Sequence, residues 1–238
     1  MDRKFLIAAN WKMHSPPAGF AAPDSPYRAE SAVDVVVFPG FVDLSACINA
    51  QLIVGGQTGR PEPSGAFTGD VSIAQLKALG CRYVLCGHSE RRKNHGETDD
   101  FALQQVVATL EAGMHPILCV GETADERKHG KQEHVVKRQL KDLPPGATVA
   151  YEPVWAISGG DPTTPAATAE DAQEMHAFIR SLLPEPEKTR ILYGGSMNGK
   201  NCQELLRCPD VDGGLVGGAS LKPEEFGKIV EAARALSS

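Results

Sequence analysis

Residues 83–120, YVLCGHSERRKNHGETDDFALQQVVATLEAGMHPILCV, contain two strand candidates with a helical pattern between them. The strand candidates are Tyr83–Cys86 and Pro116–Val120, and both are apolar on both faces, as buried strands of a parallel sheet are. The segment Phe101–Leu110 between them carries apolar residues at helical spacing. A strand, a helix and a second strand in this order predict a right-handed β–α–β unit.

The helix within this unit has predictable ends and a predictable buried face. Asp99 or Asp100 is the expected N-cap, and Gly113 follows the last turn. The apolar spacing predicts one buried stripe. Its members are Leu103, Val106, Val107 and Leu110. The charged run Glu90–Arg92 upstream is interpreted as an ion-pair network rather than as a helix face.

The same alternation of strand and helix runs through the whole chain. Eight segments are candidate strands: Phe5–Ala9, Val33–Phe38, Leu52–Gly56, Tyr83–Cys86, Pro116–Val120, Thr148–Tyr151, Ile191–Tyr193 and Gly214–Val216. Eight strands without a visible division into two domains favour closure into a (β/α)8 barrel over a doubly wound open sheet. The expected organisation is therefore α/β, with residues 1–238 forming a single TIM-barrel domain.

The first connection breaks the pattern. Between the first two strand candidates, the segment His14–Tyr27 carries Pro16, Pro17, Pro23 and Pro26. An interior proline costs a helix about 3 kcal/mol. We therefore expect the first crossover helix to be degenerate or missing, with at most one short helical turn near Tyr27–Ala32.

Composition excludes several classes of function. Of 238 residues, 42% are hydrophobic and 23% are charged, and the net charge is −6. An acidic chain of this kind argues against nucleic-acid binding and against an anionic membrane surface. No apolar run approaches the ~20 residues of a membrane-spanning helix. Met1–Phe5 also lacks the features of a secretory signal.

Cysteine usage points to a compartment. The six cysteines form no CxxC pair and show no zinc-binding spacing with histidine. Several lie within apolar runs, as buried thiols do. The six cysteines of the chain are Cys47, Cys81, Cys86, Cys119, Cys202 and Cys208. A reduced, cytoplasmic location is expected.

Polar residues follow several strand candidates, at the end of a barrel where active sites lie. Asn10 and Lys12 follow the first strand, and a lysine there suits an anionic substrate. His88 follows the fourth strand and is a candidate acid or electrophile. Glu152 ends the sixth strand, where a carboxylate is costly unless it is paired or used. Taken alone, Lys12 is also compatible with a solvated surface position, and His88 with a structural role.

Two glycine-rich turns follow the last two strands, Tyr193–Ser196 and Val216–Ser220. Glycine lets backbone N–H groups approach an anion closely. In barrel enzymes the loops after the seventh and eighth strands often bind phosphate. One such turn is weak evidence, but two in these positions predict a phosphate site.

Taken together, these motifs resemble the triosephosphate isomerase family over essentially the whole chain and in the family's order. The histidine motif and the Glu-Pro-Val-Trp-Ala run are the most specific of them. The matching segments are Asn10–Lys12, Gly65–Gly69, Gly87–Arg92, Cys119–Glu122, Tyr151–Ile157, Tyr193–Ser196 and Leu215–Ser220.

The resemblance implies a role for each matching residue. Glu152 is the base that moves a proton between the two substrate carbons, and His88 is the electrophile that moves protons between the two oxygens. Lys12 offsets the negative charge of the phosphate and the enediolate, and Asn10 orients the substrate oxygens. Glu90 lies next to the residues that contact the substrate, without contacting it. The expected substrate-binding residues are Asn10, Lys12, Ser158, Ser196, Leu215, Gly217 and Gly218. No cofactor and no metal is implied.

The implied activity is the interconversion of dihydroxyacetone phosphate and D-glyceraldehyde 3-phosphate, in glycolysis and gluconeogenesis. Two other functions are compatible with a phosphate-binding barrel. A catalytically silent phosphate-binding barrel would be favoured by loss of Lys12, His88 or Glu152, and all three are present. A barrel isomerase for another phosphorylated sugar is disfavoured because Glu90 and Ser196 complete the family set.

Two segments carry further expectations. The lid, residues 156–168, is roughly four residues longer than the family pattern. We expect it still to close on a phosphate-bearing ligand, because doubling a loop costs only ~0.6 kcal/mol. The loop Gln57–Asp70 is long for a βα connection. In the family it docks into a second subunit, so a homodimer is expected.

Overall fold

The computed structural model describes residues 3–157 and 167–237, in which eight parallel strands form one sheet. Along the sheet the order is β2-β1-β8-β7-β6-β5-β4-β3. The strands are β1 (Leu6–Asn10), β2 (Asp34–Phe38), β3 (Gly55–Gly56), β4 (Tyr83–Cys86), β5 (His115–Val120), β6 (Thr148–Tyr151), β7 (Ile191–Tyr193) and β8 (Gly213–Val216).

The two ends of this strand order meet. Val37 of β2 forms a parallel bridge with Val54, directly before β3, and its N–H donates to the carbonyl of Ile53 at 2.9 Å. The sheet is therefore a nearly closed barrel. The expected (β/α)8 architecture is confirmed.

Helices alternate with the strands around the outside. They are α1 (Leu44–Asn49), α2 (Ile73–Leu79), α3 (Ser89–His95), α4 (Asp99–Glu111), α5 (Ala124–Lys128), α6 (Gln132–Gln139), α7 (Ala169–Leu182), α8 (Cys202–Leu206) and α9 (Pro223–Leu236). Short 3-10 helices lie at Phe41–Asp43, Val154–Ala156 and Gly218–Leu221. Within the described ranges, no helix combines the length and apolar character needed to cross a membrane.

Strand alternation divides the buried residues into two cores. Leu6 and Ala8 of β1 point into the barrel, where they pack with Phe38 and Leu85. The intervening residues of β1 belong to the larger core between the strands and the helices. A strand has a side-chain period of two, so one apolar run supplies both cores. The barrel interior is thus filled, and a ligand has access only at its ends.

The first crossover has no helix in residues 11–33, as the prolines predict. Successive turns replace it, with N–H groups donating from Phe20 to Pro17, from Ala22 to Gly19 and from Ser25 to Ala22. Proline has no N–H, so this segment cannot sustain a helical hydrogen-bond ladder.

Two details predicted for α4 are wrong. Thr98, not Asp99 or Asp100, is the N-cap, and its side chain accepts from the N–H of Phe101 at 3.1 Å. The buried face also differs from the predicted stripe, since Val107 is 40% exposed. The buried residues are Ala102, Gln105, Val106 and Thr109.

A polar side chain causes this shift of the buried face. Gln105 donates to the Gly59 carbonyl at 3.0 Å and to the Thr58 hydroxyl at 2.8 Å. It also accepts from the N–H of Gly87 at 3.1 Å. Backbone groups after two strands thereby gain partners inside the barrel wall. An apolar periodicity argument cannot identify such a residue.

The run Glu90–Arg92 is helical, contrary to expectation, because it lies within α3. The expected ion pairs are nevertheless present. Glu90 pairs with Lys12, Arg91 with Glu97, and Arg92 with Asp99. Helical geometry and ion pairing coexist here because the three side chains leave the helix in different directions.

His176 of α7 is a fully buried titratable group. Burial lowers its pKa to about 4, with smaller opposing effects from the Asp210 carbonyl and the Asp212 carboxylate, and a further lowering by Arg180. Its ring Nδ1 lies 3.1 Å from the Asp210 carbonyl oxygen. The imidazole is therefore neutral in the folded protein at pH 7.

This burial predicts a loss of stability in acid. The unfolded chain protonates His176 near pH 6.5, whereas the folded chain does so only near pH 4. The contribution of neutral His176 to the free energy of unfolding is therefore complete above pH 6.5 and decreases as the pH falls towards 4. Between pH 7 and pH 5, the free energy of unfolding of the wild type should fall by about 2 kcal/mol more than that of His176→Gln. Denaturant titrations of both proteins at the two pH values measure this difference. Parallel pH profiles of the two proteins would contradict this assignment.

Candidate active site

A cavity of about 910 Å³ opens at the carboxyl ends of the strands. Nearly every site residue expected from the sequence lines it. These residues are Asn10, Lys12, His88, Glu90, Glu152, Ser196, Leu215, Gly217 and Gly218. Ser158 lies outside the described residues, as does most of the lid. The closed barrel thus brings together side chains that are up to 208 positions apart in sequence.

Glu152 lies at the floor of this cavity, directly after β6, and is only 2% exposed. Its carboxylate accepts from the backbone N–H of Ser89 at 2.9 Å and from the Ser89 hydroxyl at 3.1 Å. Two donors from one residue hold a carboxylate that burial would otherwise disfavour. Sequence reasoning did not assign a role to Ser89, although it lies inside the quoted histidine motif.

The imidazole of His88 lies beside this carboxylate. His88 is the N-cap of α3, and its Nδ1 accepts from the N–H of Glu90 at 3.2 Å. A ring nitrogen that accepts a hydrogen bond carries no proton, so this contact assigns the proton to Nε2 and makes the ring neutral. Nε2 lies 3.0 Å from Oε1 of Glu152 and 3.4 Å from the amide nitrogen of Asn10.

Lys12 has an unusual backbone conformation, with φ at +51°. Neighbouring side chains stabilise it. Its N–H donates to the Asn10 side-chain oxygen at 3.0 Å, and its carbonyl accepts from the Gln57 amide at 2.7 Å. Left-handed backbone is disfavoured for non-glycine residues and persists where the surroundings require it. No motif in the sequence indicates this contact of Gln57 with Lys12.

The ammonium group of Lys12 is paired with Glu90, with Nζ 2.6 Å from Oε1. Partial burial raises the pKa of Glu90, but the hydrogen bond and charge of Lys12 lower it more, so the pKa lies below its ordinary value. Glu90 is therefore ionised at pH 7. The pair keeps a cation at the cavity wall.

The two glycine turns line the cavity next to Lys12 and Glu152. At Gly217, an added Cβ would lie 3.3 Å from Cε of Lys12, so glycine here lets the lysine approach the loop backbone. The Ser196 hydroxyl donates to the carbonyl of Ala156 at 3.0 Å. This bond ties the loop after β7 to the described start of the lid.

Glu122 is a second buried carboxylate near the site, with no exposed surface. It accepts from the indole N–H of Trp155 at 2.8 Å and from the hydroxyl of Tyr151 at 3.1 Å. Arg127 pairs with it at 3.3 Å, and its guanidinium lies 4.5 Å from the Trp155 ring centroid. Burial and the Glu122 carboxylate both raise the pKa of Tyr151. Glu122 ends the matching segment Cys119–Glu122, but the resemblance alone assigns it no role.

Arg127 links the chain on both sides of residues 158–166. Besides Glu122, it pairs with Asp171 at 2.6 Å. Asp171 in turn accepts from the backbone N–H and the hydroxyl of Thr168, in a capping box. The Trp155 side and the Thr168 side are thereby tied to one guanidinium. Lid closure and the expected backbone contacts of Ser158 lie outside the described residues.

Among the described residues, no group of three or more His, Cys, Asp or Glu side chains is arranged to hold a metal ion. The cavity instead brings together a buried carboxylate, a neutral imidazole and a cation. These groups are suited to proton transfer on an anionic substrate.

Comparison with known proteins agrees with this geometry. The family model for triosephosphate isomerase matches residues 5–233. A triosephosphate isomerase of Carboxydothermus hydrogenoformans is 45% identical, with 96% of this chain and 98% of the relative covered. Those of Alkalilimnicola ehrlichii and Paracidovorax citrulli are 44% and 43% identical, with 98% of this chain and 99% and 100% of the relatives covered. The chain therefore belongs to the triosephosphate isomerase family.

Proposed function

We propose that this protein interconverts dihydroxyacetone phosphate and D-glyceraldehyde 3-phosphate, a step of glycolysis and gluconeogenesis. One observation carries the proposal. The Glu152 carboxylate and the protonated nitrogen of His88 lie 3.0 Å apart at the floor of a cavity that Lys12 also lines. The family membership supports the same reaction. We also propose that residues 1–238 act as one barrel unit.

Glu152 is the base in this proposal. The reaction removes a proton from the carbon next to the substrate carbonyl and returns it to the neighbouring carbon. The Glu152 carboxylate is almost completely buried at the cavity, so bulk water does not surround the base. Ser89 fixes both carboxylate oxygens in this structure. When substrate binds, loss of the bonds from Ser89 would free a carboxylate oxygen of Glu152 to accept the substrate proton.

His88 and Lys12 stabilise the enediolate that proton removal creates. The Nε2–H of a neutral His88 can donate to either substrate oxygen and transfer protons between them. Asn10, whose amide is 3.4 Å from Nε2, orients these oxygens. Lys12 supplies positive charge, and Glu90 holds its side chain in place at 2.6 Å. Preorganised donors of this kind act most strongly where water is excluded.

The phosphate group binds at the wall formed by the two glycine turns. Backbone N–H groups of Gly217, Gly218 and Ser196 are the proposed donors, and the side chain of Leu215 lines the floor. Ser158 is the remaining proposed contact. A phosphate held by backbone N–H groups places the reacting carbons at a fixed distance from Glu152.

We also propose a homodimer, built around the loop Gln57–Asp70. Arg60 organises this loop internally, since it pairs with Asp70 at 2.9 Å and lies 3.5 Å from the centroid of the Phe67 ring. Exposed apolar side chains on the same end of the barrel support the proposal. Met13 is 96% exposed and Val42 is 93% exposed. Such side chains gain stability by burial against a partner.

An unsatisfied carboxylate oxygen gives further support. Glu97 is buried, and its Oε1 accepts from Arg91, yet its Oε2 has no hydrogen-bond partner among the described residues. It lines a cavity of about 570 Å³ beside the base of the Gln57–Asp70 loop. Buried polar atoms normally have partners, so a donor from a second subunit would complete this site.

A cytoplasmic location is the last part of the proposal. All six cysteines are free thiols, and five of them are buried. Burial raises the pKa of Cys47 to about 12 and that of Cys81 to about 11, so these thiols are protonated and unreactive at pH 7. Unpaired thiols are typical of a reducing compartment.

The assignment of the base is tested by Glu152→Gln, which preserves size and removes basicity. We expect kcat for glyceraldehyde 3-phosphate to fall by about 100- to 10,000-fold in a coupled assay. The control Glu111→Gln makes the same change at an exposed position at the end of α4, and its kcat should equal that of the wild type. Near-normal turnover by purified Glu152→Gln would remove Glu152 from the mechanism.

The dimer is tested by sedimentation. We expect the wild type at micromolar concentration to sediment at roughly twice the 25.4 kDa of the chain. Met13→Glu places a charge in the proposed interface and should shift the protein to the monomer. Val107→Glu, at a 40% exposed position on α4, is the control and should remain dimeric. A fully active wild-type monomer would refute the proposed assembly.

A further inference from the structure

Tyr27 lies in the irregular segment that replaces the first crossover helix, yet it is fully buried. Its ring packs edge-on against Trp11, with centroids 5.2 Å apart, and stacks on Phe226 at 5.0 Å. Trp11 follows β1, and Phe226 belongs to α9. The tyrosine is therefore wedged between the first and last units of the barrel. Geometries of this kind stabilise aromatic pairs beyond the burial of their area.

The hydroxyl of Tyr27 reaches the phosphate side of the candidate site. It donates to the carbonyl of Ser220 at 2.7 Å. Ser220 is fully buried in the 3-10 helix Gly218–Leu221. That helix would continue with a donor three residues on, but residue 223 is proline and has no N–H. The hydroxyl of Tyr27 thus takes the place of the backbone N–H that residue 223 cannot donate to the Ser220 carbonyl.

Ser220 in turn closes the loop that precedes it. Its N–H donates to the carbonyl of Gly217 at 2.8 Å, and its hydroxyl donates to the same carbonyl at 2.7 Å. The hydroxyl also lies 3.4 Å from the carbonyl oxygen of Asn10. The Gly217 carbonyl and the Gly218 N–H belong to one peptide group, so the orientation of that group is coupled to the position of Ser220. Gly217 and Gly218 both line the cavity, so a shift of Ser220 would alter the cavity wall at this loop.

We propose that Tyr27 is a positioning residue for the phosphate-binding loop Gly217–Ser220, and that it acts through the Ser220 carbonyl. The inference rests on the proposed function, because it takes the N–H groups of Gly217 and Gly218 as phosphate ligands. Without a first crossover helix, this tyrosine provides the link from the connecting segment to the loop. Its role is to raise affinity for the phosphate group, and it does not touch the reacting carbons.

The test is Tyr27→Phe, which removes the hydroxyl and keeps the ring contacts. A buried carbonyl without its donor is destabilised, so the loop will shift to find another partner. We expect kcat/KM for glyceraldehyde 3-phosphate to fall by about tenfold. Activity on glyceraldehyde has the same carbon chemistry without the phosphate and should change less than about twofold. The Kd for inorganic phosphate, measured by calorimetry, should rise by about tenfold.

The matched control is Tyr83→Phe, the same chemical change at the amino end of β4, away from the cavity. We expect its kcat/KM for glyceraldehyde 3-phosphate, its activity on glyceraldehyde and its Kd for inorganic phosphate to equal those of the wild type. Activity of Tyr27→Phe on glyceraldehyde also reports that the variant is folded. Equal losses on both aldehydes, or unchanged phosphate affinity, would show that Tyr27 serves only the packing of the fold and would overturn the inference.

The same measurements separate this inference from the proposed function. A wild type that does not isomerise glyceraldehyde 3-phosphate would refute the proposed function, and the phosphate Kd of the variant would still decide the role of Tyr27. A wild type that is active, with a variant of unchanged phosphate affinity, would refute only the positioning role.

Discussion

Closure of the parallel sheet is the constraint on which the rest of this structure depends. The strand order ends at β2 and β3, and the contact of Val37 with Ile53 and Val54 joins those ends. Because the strands are parallel, closure places their carboxyl ends on one rim. Residues after β1, β4, β6, β7 and β8 thereby surround a single cavity. It also leaves the interior of the barrel to packed side chains, so binding is confined to the rim.

The rim concentrates buried negative charge, and two of its buried carboxylates, Glu152 and Glu122, are stabilised in different ways. Glu152 accepts two hydrogen bonds from Ser89. Glu122 accepts hydrogen bonds from Trp155 and Tyr151 and forms an ion pair with Arg127. These arrangements differ in their consequences. The bonds of Glu152 face a cavity that a substrate can enter, whereas Glu122 is enclosed by aromatic side chains and serves as a structural anchor. Burial alone therefore does not distinguish a reactive carboxylate from a structural one.

The missing first helix shows how this barrel tolerates an irregular unit. A helix normally covers the outer face of β1 and β2. Here a series of turns carries Phe20 and Tyr27 onto Trp11, with ring centroids 6.0 and 5.2 Å from the indole. Aromatic side chains bury a large area per residue, so two of them cover much of what a helix would cover. The hydroxyl of Tyr27 extends this packing to the loop after β8.

The sequence by itself determined the barrel, the approximate strand positions and most of the candidate site, because unbroken apolar runs and the polar residues that follow them are local signals. It also determined that the prolines exclude a first helix. Only the tertiary structure decided the roles of Ser89, Gln57 and Gln105, and the buried face of α4. Each depends on partners distant in sequence: Ser89 meets Glu152 across 63 positions, and Gln57 meets Lys12 across 45. A polar residue is buried where a backbone or charged group needs it, and that need exists only after the chain has folded.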